Sequence, residues 1–205
     1  PANALIDAAV VRASGGSLAY DEDGRLGQAG RVDAGLLADL LREPYYSLPI
    51  PKTTGKELFN AAYLEASSAG RGELRTEDLV ATLTALTAET VAAAIHRHDV
   101  DTLVVSGGGC ANPALMTMLG QRLPSVTMIR STEFGAPTDT KEAIAFALIG
   151  WHTAHGLPSI VAGTTGARSS RILGSIQTGS GPLILPSPLA HAPVALRLGL
   201  PSTPG

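Results

Sequence analysis

The segment that most constrains the fold runs from residue 102 to residue 158. Thr102-Leu103-Val104-Val105-Ser106 is a short apolar run that reads as a buried strand. Gly107-Gly108-Gly109 breaks it. Asn112 followed by Pro113 has the form of a helix start. The Asn side chain can cap a free N–H, and a first-turn proline gives up none that is needed. This helix is predicted to reach Leu123, where Pro124 closes it. Val126-Thr127-Met128-Ile129 reads as a second strand. Asp139 then opens a helix with Ile144, Ala147, Leu148 and Trp151 on one face, ended by Gly156 and Pro158. Strand, helix, strand, helix predicts a parallel, right-handed unit and places the chain in the α/β class.

The half before it reads as helical. Leu5, Ile6, Ala9, Val10 and Ala13 keep helical spacing until Gly15-Gly16. Asp21-Glu22-Asp23-Gly24 reads as an exposed turn. Asp33 starts a second helix through Leu36, Leu37, Leu40 and Leu41, which Pro44 ends. Pro49 to Gly55 reads as an ordered loop, and a third helix carries Leu58, Phe59, Ala62 and Tyr63. Thr76 caps a long helix whose buried stripe is Leu79, Val80, Leu83, Leu86, Val91 and Ile95. His96, Arg97 and His98 stand at its C-terminal end, where cations suit the dipole. After Pro158, Gly163-Thr164-Thr165-Gly166 reads as a tight loop and Arg171-Ile172-Leu173-Gly174 as the start of a short apolar element. Residues 180–205 hold six prolines and read as a mobile extension.

Composition excludes several function classes. Apolar residues make up 44% and charged residues 16% of 205, enough to bury a sizeable core. A net charge of −3 gives no basic field for nucleic acid or anionic lipid. The single cysteine, Cys110, excludes a disulfide framework and a cysteine-built zinc site. No run of about 20 apolar residues is seen, so no membrane span is expected. No signal peptide opens the chain, so a cytoplasmic setting is the expectation. The chain starts at Pro1 without an initiator Met and is expected to belong to something longer.

Chemistry concentrates at Ser106 to Asn112. Three glycines let backbone approach a ligand closely, and the helix that follows offers free N–H groups. In an open α/β sheet, ligands gather at the carboxyl ends of strands. A nucleotide there is one reading; a plain strand-to-helix turn is the other. Gly55-Lys56 fails as a phosphate loop, because Glu57 follows and Ile50 stands where its first glycine belongs. The dinucleotide fingerprint is only partial, with Asn112 in place of the third glycine, although Glu133 follows the second strand. Glu142 is a second candidate, able to orient sugar hydroxyls. Its competing explanation is a capping box with Asp139. Lys52 to Glu57 forms a polar loop able to touch a ligand or simply to lead into a helix. Cys110 reads as a small packing residue, and His152 with His155 lacks the third ligand a metal would need.

Four stretches taken together carry a resemblance. They are Pro1-Ala2-Asn3-Ala4-Leu5-Ile6-Asp7, Pro51-Lys52-Thr53-Thr54-Gly55-Lys56-Glu57-Leu58-Phe59, Val105-Ser106-Gly107-Gly108-Gly109-Cys110-Ala111-Asn112-Pro113 and Lys141-Glu142-Ala143-Ile144-Ala145-Phe146-Ala147. In order and spacing they resemble the C-terminal part of anhydro-N-acetylmuramic acid kinases, over residues 1–178. The resemblance implies an RNase H-like domain of the actin and sugar-kinase ATPase type. It implies an enzyme that opens the anhydro ring with water and phosphorylates the sugar from ATP, with Mg2+, in cell-wall recycling. It places Gly107, Gly108, Gly109 and Asn112 beside the adenosine and Glu142 near the sugar. It also implies a possible homodimer.

The same resemblance puts the family's catalytic Asp three residues before Pro1, so no catalytic residue is expected within the chain. The phosphate-binding N-terminal domain is likewise expected outside it. Ala2 stands where the family usually has Gly. Two rivals remain at this point: a non-catalytic module that binds nucleotide or pairs with another chain, and a dinucleotide-dependent oxidoreductase using Gly107 to Asn112 with Glu133.

Overall fold

A computed structural model of the chain describes residues 1–72, 74–163 and 166–197. The chain divides into two compact units, Pro1–Phe134 and Gly135–Gly205.

The first unit is built on α5 (Thr76–Ile95). Every residue from Leu79 to Ala88 is buried, so this helix has no solvent face in its middle. Thr82 and Thr84 tolerate burial because their hydroxyls donate to the preceding turn. Thr84 Oγ1 reaches Val80 O at 2.8 Å, and Thr82 Oγ1 reaches Asp78 O at 2.7 Å. Against α5 pack α1 (Ala4–Ala13), α2 (Arg25–Ala29) and α3 (Ala34–Leu40), and α4 (Ala61–Ser68) packs on α1 and α3. Leu5, Ile6, Val10, Leu36, Leu64 and Phe59 close one core against it. A second core joins Ala88 and Ala92 to Leu115, Leu119 and Leu123 of the next helix and its end. By length and composition alone α5 is long and apolar enough to cross a membrane. Its burial against α1, α2, α3 and the helix of the second core gives it the place of a core helix.

β1 (Thr102–Val105), α6 (Pro113–Arg122) and β2 (Thr127–Arg130) form the parallel unit expected. Thr102 pairs with Thr127 and Val105 with Arg130. The two strands make a two-stranded sheet, so β1 is not the buried strand its apolar run suggested: Val104 is 49% exposed.

Other boundaries also shift. The 21–24 turn is exposed only at Glu22 and Asp23; Gly24 is buried, and Asp21 is 5% exposed and accepts from Leu26 N at 2.8 Å and Gly27 N at 3.0 Å. That carboxylate caps α2, a helix the residue pattern did not reveal. Asp33 caps α3 as expected, Oδ1 accepting from Leu36 N at 2.7 Å. α3 stops at Leu40, though, and Pro44 opens a separate 3-10 turn, Pro44–Ser47. Leu58 and Phe59 precede α4, which Asn60 caps. Arg75 rather than Thr76 is the residue before α5.

The second unit holds α7 (Lys141–Ala154), none of whose residues is buried. Thr140, not Asp139, precedes it, and no side chain caps it. Gly156 takes φ +71° at its end. Ser159 N donates to Arg171 O at 2.9 Å, yet Arg171-Ile172-Leu173-Gly174 forms neither helix nor strand. Gly163 N donates to Ala167 O at 3.0 Å across the loop, whose Thr164 and Thr165 lie outside the described residues. Residues 180–197 carry no helix or strand, and Leu189 N donates to His155 O at 3.1 Å.

Candidate functional site

The glycine bend leaves β1 and is held from three sides. Gly107 takes φ +88°, and residues Gly108–Ala111 form a 3-10 turn. Arg130, at the end of β2, donates from Nη2 to the Cys110 carbonyl at 3.1 Å. Ser131 Oγ donates to Ser106 Oγ at 3.2 Å, tying the next residues of the two strands. Asn112 caps α6 as the sequence predicted, its Oδ1 accepting from Leu115 N at 3.1 Å behind Pro113. Cys110 is buried and unpaired, in keeping with a packing role.

The three glycines have different reasons to be glycine. Gly107 lies in the left-handed region that side chains disfavour. At Gly109 a Cβ would press within 3.3 Å of Asn3 Oδ1 and 3.4 Å of Leu115 Cδ2. Gly108 has neither reason: its φ is ordinary and a Cβ would meet nothing within 4 Å. It is exposed and is one of the residues lining a cavity of about 560 Å3.

That cavity is bounded by the start of α1, by residues 19–23 and by Gly108, Ala111 and Asn112. Asn3 directly precedes α1 and Asp7 lies in it; the Oδ1 of Asn3 is buried without a hydrogen-bond partner. Burial pushes the Asp7 carboxyl above the usual carboxylate range, and Lys56 pulls it partly back. Glu22 and Asp23 also line the cavity, and no Lys or Arg does. A hollow of this sign repels phosphate and suits a neutral group that donates hydrogen bonds. Asn3, Asp7 and residues 19–23 were not singled out from the sequence as site residues.

Glu142 lies in the other unit, exposed in the first turn of α7. Because α7 starts at Lys141, the predicted Asp139–Glu142 capping box does not form. Lys52 is not free for a ligand: its ammonium donates to the carbonyls of Tyr45 and Tyr46 at 2.9 and 2.8 Å. Glu57 accepts from Gly55 N at 2.6 Å. His152 and His155 flank Trp151, their Nδ1 atoms 3.2 Å from Pro158 O and 2.8 Å from Trp151 O. Among the described residues, no three His, Cys, Asp or Glu side chains gather as a metal site. Glu133 sits in the 3-10 turn Ser131–Phe134 after β2, exposed.

The family model described as anhydro-N-acetylmuramic acid kinase matches residues 1–179. Curated relatives carry the same name. One from Streptomyces coelicolor is 52% identical over 198 residues, covering 97% of this chain and 51% of the relative. One from Rhodococcus erythropolis is 49% identical over 198 residues, covering 97% and 50%. One from Burkholderia vietnamiensis is 42% identical over 182 residues, covering 86% and 47%. The chain thus spans about half the length of the curated relatives it matches.

Proposed function

The chain belongs to the anhydro-N-acetylmuramic acid kinase family, and on that premise we propose that it is the C-terminal part of such a kinase, with residues 1–178 as the kinase portion. The reaction adds a water oxygen to the anomeric carbon of the 1,6-anhydro sugar. The bond from that carbon to O6 breaks, and O6 takes the γ-phosphoryl group of ATP, releasing ADP. The products are N-acetylmuramic acid 6-phosphate and ADP. An RNase H-like fold and a cytoplasmic setting go with this reading. The dinucleotide alternative on Glu133 is set aside with it.

One observation carries the nucleotide site: Gly108 is a glycine that neither backbone nor packing requires, and it lines a cavity. Close approach of a ligand to that backbone accounts for it. The carboxylates around the cavity favour the adenosine end of ATP over its phosphates. Gly107, Gly109 and Asn112 shape the same bend. Glu142, with no capping partner to explain it, is assigned to the sugar. The nucleoside end of ATP fits these residues. No donor set for Mg2+ is seen among the described ones, so no step is routed through the ion.

General-base assistance to the attacking water is worth about 10²–10⁴-fold. Phosphoryl transfer depends further on positioning of the phosphates. The residues for both are assigned outside this chain. A coupled ADP-release assay with Mg-ATP and the anhydro sugar tests this. Turnover is expected from the full-length protein and none from the 205-residue chain. Turnover by the chain alone would overturn the placement of the base; a full-length protein inert toward this sugar would overturn the reading itself. A non-catalytic module corresponds to the second of these outcomes.

A further inference from the structure

We propose that Gly24 is a positioning residue for the nucleotide bend: it sets the gap between the 19–24 loop and the start of α6, and so the fit of the nucleoside end of ATP. The inference rests on the nucleotide reading of that bend.

Gly24 takes φ +64°, and a Cβ on it would lie 2.4 Å from Asn112 Oδ1 and 3.1 Å from Ala114 N. The loop is therefore seated directly on the cap of α6. It has nowhere to retreat. The buried Asp21 carboxylate holds Leu26 N and Gly27 N, which fixes α2 behind the loop. α2 in turn rests on α6, for a Cβ on Gly27 would come within 3.3 Å of Ala114 Cβ.

Both surfaces line the cavity: Asp21, Glu22 and Asp23 from the loop, Gly108 and Asn112 from the bend. Gly24 follows Asp23 directly and lies against Asn112, so the contact joins the two sets of lining residues. A side chain at position 24 displaces Asn112 and the first turn of α6, and the bend moves with them. Glu142, assigned to the sugar, belongs to the other unit. Nucleotide affinity is expected to fall while sugar affinity holds.

The test is steady-state kinetics on the full-length protein, varying ATP and sugar separately. Gly24→Ala is expected to raise the KM for ATP about tenfold or more, with the KM for sugar within about twofold. Combining it with Asn112→Gly removes the nearest obstructing atom, and Gly is a residue that a helix N-cap accepts with little loss; Asn112→Gly alone is measured beside it, so that recovery is read against the single variant. The double variant is expected to recover at least part of the ATP KM. If Gly24→Ala does not fold, Gly27→Ala applies a milder push on the same turn without a left-handed backbone. It is expected to raise the ATP KM about threefold, sugar unchanged.

Gly108→Val separates the two levels. If that variant raises the ATP KM and the variants at Gly24 and Gly27 do not, the positioning role is overturned and the nucleotide site stands. If Gly108→Val also leaves the ATP KM unchanged, the nucleotide site itself falls. Equal loss toward ATP and sugar in Gly24→Ala, without recovery in the double variant, marks a merely structural glycine and also overturns the proposal.

Discussion

The Thr87 hydroxyl donates to the Ala2 carbonyl at 2.8 Å, tying the middle of the buried helix α5 to the entry of α1. Thr87 is 3% exposed, so the bond is shielded from water. Thr87→Val leaves the carbonyl without that donor and is expected to cost about 1–2 kcal/mol. Thr87→Ser keeps the hydroxyl and should cost clearly less. Urea unfolding of the three proteins measures the difference. Equal stability of the Val and Ser variants would contradict the role of the bond.

Ala2 itself takes φ +51°, in the region where a Cβ is unfavourable. A left-handed Ala costs about 1–2 kcal/mol, and Gly gives back about 0.4–1 kcal/mol through the unfolded chain. Ala2→Gly is therefore expected to stabilise by about 0.5–1 kcal/mol. A loss of stability in the same unfolding experiment would refute it.

Gly30 marks a closer approach. A Cβ there would fall 1.9 Å from the Glu77 carbonyl oxygen and 2.8 Å from Asp78 N. Both are backbone atoms at the start of α5, and neither can swing aside as a side chain would. The neighbouring bonds, Arg31 N to Asp78 Oδ1 at 2.7 Å and Asp33 N to Thr82 Oγ1 at 2.9 Å, depend on that approach. Gly30→Ala is expected to cost about 3 kcal/mol or more, or to prevent folding. A thermal midpoint equal to that of the parent would exclude the close contact.

Asp7 gives the chain a pH dependence of definite sign. Its carboxyl is raised by burial, with Lys56 opposing, while Glu22 and Asp23 line the same cavity. The folded protein thus favours the protonated form more than the unfolded chain does. That contribution is complete below the unfolded carboxylate value of about 3.9 and is lost as pH rises through the raised folded value. Asp7→Asn is expected to melt higher than the parent at pH 7, with the gap closing below about pH 4. An Asn variant less stable at neutral pH would show that the ionised carboxylate is welcome where it sits.

Much of the fold was legible because local chemistry and tertiary structure agree. The Leu5, Ile6, Ala9, Val10 spacing did become the buried face of α1, and Asn112-Pro113 did become a capped helix start. α2 was hidden because it is short and packs through missing side chains: Gly27 faces Ala114 and Thr84. Hydrophobic periodicity has nothing to count there. Asp21 looked like a surface turn acid, and only the folded chain brings two amides to it. The apolar β1 misled because it has one neighbouring strand among the described residues, which leaves Val104 open. For the site, the glycine bend was visible, but the other residues lining the cavity were not. The signal that was available is the spacing Gly24, Gly27, Gly30, small residues on one side of a segment that must lie close to others.

The central claim is that Gly108 is glycine for the sake of a nucleotide. Nothing lies within 4 Å of a Cβ there, so the first side-chain atom of a substitution meets no neighbour in the fold. Calorimetric titration of Mg-ATP into full-length Gly108→Val, alongside the parent, is the direct measurement. The expected result is an unchanged melting temperature with ATP binding abolished. Parent-like ATP affinity in a folded variant would contradict the account.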